Sequence, residues 1–138
     1  MSHSDEAQIA NCMRAALADA GVNADEVDYV SAHATGTRVG DRAEAAAIRA
    51  VLGDKVPVSS LKGHLGHTLG ASGALELAAV AGMMRDGLIL PTRNLEEVDD
   101  CAMIRLPREI EERPVRVCIK NSIAFGGVNA SLVCRRVE

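Results

Sequence analysis

The 138-residue chain has no tryptophan and only two aromatic side chains, Tyr29 and Phe125. A core without aromatic bulk must be filled by Ala, Val, Leu, Ile and Met, and a lone Phe inside a glycine-rich segment becomes conspicuous. Charge of one sign is not in excess either, since fifteen Lys and Arg stand against nineteen Asp and Glu for a net charge of −4. The basic residues are scattered, which leaves neither a nucleic-acid footprint nor a basic membrane-binding face. No run approaches the roughly 20 apolar residues of a membrane span. The polar start MSHSDEAQ lacks the apolar stretch of a signal peptide. A cytoplasmic location is therefore expected. Cys12, Cys101, Cys118 and Cys134 form no C-x-x-C pair, so reduced thiols, mostly buried or inert, are expected.

What is present reads as one globular domain over residues 1–138, without repeats or linkers. Residues 5–21 place Ile9, Met13, Ala16, Leu17 and Ala20 at helical spacing, with Gly21 as the stop. Residues 27–33 alternate like a strand that ends near His33. A second helix is predicted over 40–53, with Asp41 as its N-cap. KVPVSS (55–60) reads as a short buried strand weakened by Pro57. A third helix covers 71–86, and the long connection 87–113 holds a short strand near Met103. Residues 115–125 and 130–137 then form a hairpin around GGVN. The order implies a layered α/β domain with a parallel portion and an antiparallel final hairpin.

In α/β sheets, functional groups gather beyond the carboxyl ends of strands. Three segments here end a strand and turn polar or glycine-rich: SAHATGT, SSLKGHLGH and NSIAFGGVN. Taken singly, each has a plain structural explanation. A His at a strand end is usually a satisfied structural residue, Lys62 alone a surface charge, and FGG alone a turn. Three such corners in one short domain, bearing His33, Lys62, His67 and Phe125, point instead to a site.

Together these corners resemble the C-terminal part of β-ketoacyl synthases, the condensing enzymes of fatty-acid and polyketide synthesis. The likeness runs from about residue 8 to 136. AHATGT resembles the family's A-H-G-T-x-T, KGHLGHTLGASGALE its K-x-x-x-G-H-x-x-G-A-x-G-x-x-E, and NSIAFGGVNASLV its N-S-F-G-F-G-G-x-N. The resemblance implies a thiolase-like half domain, α/β with a mixed five-stranded sheet ending in the antiparallel hairpin. It also implies that His33 and His67 are the catalytic pair that promotes loss of CO2 from malonyl-carrier protein and steadies the enolate oxygen. Lys62 would orient them, paired with Glu76. That pairing would meet a physical need as well, because Glu76 is the only charge within residues 71–84 and a lone buried carboxylate is costly. Phe125 would gate the acyl pocket and lend its N–H to an oxyanion hole. Thr35 and Thr37 would bind the phosphopantetheine arm of the carrier protein. No metal and no cofactor beyond that substrate-borne arm are implied.

The departures are specific. Ala34 stands where the family has Gly, which predicts strain beside His33. Ile123 and Ala124 replace the usual Phe-Gly before Phe125, and His64 adds an imidazole, read as a loop side chain facing water. The family's nucleophile, a cysteine on a sharp turn at a helix N-terminus, has no counterpart among the four cysteines, so a partner would have to bring it. The family's two similar halves stack into five layers with a helix of each half in the middle. A helix that is apolar all round, such as 71–84, is one buried on all sides and suits that layer. The implied partners are therefore a complementary N-terminal half or another copy of the chain, together with an acyl carrier protein. A non-catalytic ketosynthase-like partner is the alternative role. A zinc site of His33, His64 and His67 is a third.

Overall fold

The computed structural model describes residues 5–99 and 103–137. Helix α1 (Glu6–Ala20) starts where the Asp5 carboxylate accepts the Ala7 N–H at 2.9 Å and stops at Gly21, whose φ of 62° closes the last turn. Its buried stripe is Ile9, Ala10, Met13 and Leu17. Strand β1 (Tyr29–Ser31) is shorter than its sequence pattern predicts. The Ala32 N–H still reaches the Ser59 carbonyl at 2.9 Å, and beyond it the Glu44 carboxylate of α2 (Arg38–Leu52) takes the N–H groups of His33 and Ala34 at 2.8 Å each. Helix α2 also begins earlier than predicted. The Thr37 carbonyl accepts the Asp41 N–H at 2.9 Å, so Thr37 holds the cap position and Asp41 falls inside the first turn.

Strand β2 (Val58–Ser59) leads into the four-residue helix α3 (Lys62–Leu65), then a 3₁₀ turn over Leu69–Ala71 and helix α4 (Ser72–Asp86). Gly63 of α3 is crossed by another segment, and a Cβ there would lie 2.5 Å from the Arg93 carbonyl oxygen. Beyond α4, β3 (Leu88–Ile89) pairs antiparallel with β4 (Glu111–Glu112). No strand forms at Met103, which takes a left-handed φ of 43°. The hairpin consists of β5 (Val117–Ile123) and β6 (Asn129–Arg135).

The main sheet has the order β2-β1-β5-β6, with β1 parallel to both neighbours and β5–β6 antiparallel. It numbers four strands rather than the expected five. The fifth place, outside β2, is reduced to one parallel bridge between Pro57 and Arg105, in which the Val58 N–H reaches the Arg105 carbonyl at 2.9 Å. Pro57 has no N–H to extend that ladder.

Strand alternation divides the core in two. Val30, Val58, Val117 and Ile119 pack with Met13 of α1 and Ile48 of α2 on one face. Tyr29 and Cys118 pack with Val80, Met83 and Met84 of α4 on the other. Helix α4 is covered on one side only: Glu76, Val80 and Met83 are buried, whereas Ala74, Leu75, Ala78 and Ala81 are exposed. Among the described residues, no helix is long and apolar enough to cross a membrane.

Candidate active site

The carboxyl ends of β1 and β2 bring two imidazoles together. The His33 and His67 rings meet edge to face, with centroids 5.6 Å apart and planes at 87°. His33 is anchored through its backbone: its N–H and that of Ala34 bind Glu44, which also accepts the Asn121 side-chain amide at 3.2 Å. Glu44 is buried, and burial pushes its carboxyl above the usual range against the pull of those donors. His67 is held through its ring. The Leu69 N–H donates to Nδ1 at 3.3 Å and the Ser72 hydroxyl lies 3.1 Å from the same atom. A nitrogen that accepts a backbone N–H carries no proton of its own, so the neutral ring presents Nε2–H.

Burial lowers His33 to about 4, helped by the Lys62 ammonium and, more weakly, by His67 and Lys120, against an opposing pull from Glu76. His33 is thus a neutral imidazole at pH 7. The expected pair of Lys62 and Glu76 is present, with Nζ donating to Oε1 at 2.6 Å. The other carboxylate oxygen is 2.8 Å from Lys120 Nζ. Burial alone would raise Glu76, but the contacts with Lys120 and Lys62 outweigh it and hold the carboxyl below its ordinary value.

Thr35 and Thr37 stand at the mouth, their hydroxyls 3.2 Å apart, and with Lys62 and His67 they line a cavity of about 650 Å³. Phe125 is not drawn into this cluster. It sits fully exposed in the β5–β6 connection, where Gly126 and Gly127 take φ of 85° and 78°. Ala34 does not take the left-handed backbone that would favour Gly at this position. His64 is exposed as expected, but it stands in α3 rather than in a loop, and its Nε2 lies 2.9 Å from the Pro91 carbonyl. His33, His64 and His67 do not gather into a metal site: among the described residues no group of three or more His, Cys, Asp or Glu could hold an ion.

The three described cysteines are as unpromising in space as in sequence. Cys12 lies within α1, and Cys118 and Cys134 lie in β5 and β6, where burial pushes both thiols up. Cys101 lies outside the described residues.

Sequence reasoning missed Glu44 and Lys120. Lys120 carried the signal that had marked Glu76, a lone charge in an apolar setting, whereas Glu44 has Asp41 and Arg42 close by in sequence and was marked only by its place on the apolar face of the helix. Glu44 stands four residues before Ile48 on the buried face of α2, and Lys120 interrupts the apolar run VCI of β5.

Residues 1–96 match a family model described as the C-terminal domain of β-ketoacyl synthases. Among curated proteins, nodulation protein E of Rhizobium meliloti is 44% identical over 131 residues, which cover 92% of this chain and 33% of that one. The 3-oxoacyl-[acyl-carrier-protein] synthase 2 of Coxiella burnetii is 43% identical over 130 residues, 91% of this chain and 31% of that one. A crystal structure of a β-ketoacyl synthase from Burkholderia phymatum superposes with a TM-score of 0.93 at 41% identity, covering all of this chain and 34% of the other. The chain thus spans about a third of the length of the relatives it matches.

Proposed function

The chain belongs to the β-ketoacyl synthase family, and from that premise we propose that it supplies the histidine pair for a decarboxylative Claisen condensation in fatty-acid or polyketide synthesis. The substrates would be an acyl thioester and malonyl-carrier protein. The bond between the malonyl carboxylate and its α-carbon breaks, CO2 leaves, and the electron pair passes into the thioester as an enolate. The enolate carbon then attacks the acyl thioester, whose thiolate is the leaving group. The developing oxyanion needs donors already in place in a dry site. His67 is exposed in the lone chain, so its Nε2–H becomes such a donor once a partner covers this corner, and neutral His33 beside it can also shuttle a proton.

The single observation carrying this reading is the edge-to-face imidazole pair with the Lys62–Glu76 ion pair beside it. Lys62 orients the pair. The Thr35 and Thr37 hydroxyls bind the phosphopantetheine arm, and the reaction draws on no cofactor beyond that arm. Phe125 gates the acyl pocket and lends its N–H to the thioester oxyanion once the site is complete.

The nucleophilic cysteine comes from a complementary N-terminal half, and assembly covers the exposed face of α4; a second copy of the chain covers it when no such half is present. The assembly works in the cytoplasm with an acyl carrier protein. Joined to a cysteine-bearing N-terminal ketosynthase half, the chain is expected to release CO2 from malonyl-carrier protein and to complete acyl transfer. A stable assembly with neither activity would overturn the catalytic reading in favour of a non-catalytic partner.

A further inference from the structure

The side chain of Lys120 is 1% exposed, and alternation along β5 turns it to the α4 face with Cys118. A buried ammonium is tolerated only when its donors are satisfied. Lys120 donates to the Asn121 carbonyl at 2.9 Å and to the Ser122 hydroxyl at 2.5 Å, and its Nζ stands 2.8 Å from Glu76 Oε2 as an ion-pair contact without the alignment of a hydrogen bond. Lys62 stands differently. It meets Glu76 only through Oε1, at 2.6 Å, and it lines the cavity shared with His67 and the two threonines. A flexible lysine facing a carboxylate alone can settle on either oxygen. Here one oxygen is taken from below.

We propose that Lys120 is a positioning residue of this site: by occupying Glu76 Oε2 it confines Lys62 to Oε1, and it leaves two ammoniums to one carboxylate beside His33 and His67. The titratable and charged groups around His33 come from several elements, Glu44 meeting its backbone and the others acting on its ring. Glu44 comes from α2, Lys62 from α3, His67 from the segment after α3, Glu76 from α4 and Lys120 from β5. Burial and the cations hold the His33 ring unprotonated, and Glu76 opposes them. Removing Lys120 therefore removes a cation and leaves half of Glu76 uncompensated. Both changes favour a protonated ring. The same lysine ties Asn121 and Ser122, which lead into the Phe125 turn, to the carboxylate on α4.

This inference deepens the proposed function and rests on it for its catalytic meaning, but its test reads protonation rather than turnover, so the two can fail separately. The His33 ring is followed by nuclear magnetic resonance across pH in the full chain and in K120M and K120R. K120M should raise the His33 midpoint by about half a unit or more, while K120R stays near the parent. A folded K120M with an unmoved midpoint, or K120R moving as far as K120M, overturns the proposal. Thermal unfolding of E76Q and E76Q/K120M supplies the second reading. E76Q alone leaves two buried ammoniums without a counter-charge, so adding K120M should raise the melting temperature. A further fall refutes the shared carboxylate, and these two variants decide the matter if K120M alone does not fold.

Discussion

Lys62 and Glu76 meet at 2.6 Å with side chains 7% and 2% exposed, so this ion pair is shielded from water. Breaking such a pair from one side is far costlier than the pair is stabilising, because the remaining charge stays buried. Glu76→Ala strands two ammoniums, Lys62 and Lys120. It should lower stability by about 3–5 kcal/mol, more than His33→Ala does. Chemical denaturation of the two variants beside the parent measures this, and equal midpoints for Glu76→Ala and the parent would contradict the burial of the pair.

His33→Ala and His67→Ala should each reduce decarboxylation by the assembled enzyme roughly a hundredfold or more, the usual cost of a lost oxyanion donor. Neither substitution should unfold the chain, since the His33 loop is held through backbone N–H groups rather than through its ring. Rates of CO2 release, with circular dichroism as the check on folding, separate the two effects.

Acid should destabilise the fold in two stages. The folded-state value of His33, about 4, lies below that of the unfolded imidazole, so between these values the unfolded chain binds the extra proton. The contribution is complete above roughly pH 6.5 and is lost as pH falls toward 4. Glu76 is also depressed, so its stabilisation holds above the ordinary carboxylate range and disappears as pH drops through its folded value. Urea unfolding from pH 7.5 to 3 follows both stages, with the buried Glu44 carboxyl, held above its ordinary value, opposing the fall in the carboxylate range; His33→Ala should flatten the part of the slope above pH 4.

Glu44→Ala should loosen the His33 corner. It deprives the N–H groups of His33 and Ala34 and the Asn121 amide of their common acceptor. An unsatisfied buried donor costs about 1–3 kcal/mol. Hydrogen exchange at His33 and Ala34 should quicken more in this variant than exchange at Met13, and equal quickening at all three would mean a general loss of stability instead.

The outer face of α4 should drive association. Ala74, Leu75, Ala78 and Ala81 are exposed along it, Leu75 at 46%. Covering apolar surface is worth roughly 25 cal/mol per Å², and an ordinary interface covers about 800 Å² on each side. Sedimentation of the chain at micromolar concentration should show a dimer or larger species, and Leu75→Glu should shift it toward monomer. A monomer in both proteins would show that this face recruits no second copy.

The local pattern by itself determined the elements that depend on neighbours in sequence. The Ile9–Met13–Leu17 stripe and Gly21 bound α1, and Gly87 ends α4. Alternation and the paired glycines made the hairpin readable, and the motif around His33, Lys62 and His67 placed the two imidazoles at strand ends. What the pattern could not carry was the cost of satisfying buried polar groups over long separations. Glu44 captures N–H groups ten and eleven residues upstream, beyond β1, and Pro57 cuts a fifth strand to a single bridge. Lys120 meets Glu76 across forty-four residues, a contact that exists only because β5 lies beneath α4. A charge in an apolar run signals that a partner is required; which residue answers it is set by the packing of the sheet and helix that bring the two within 3 Å.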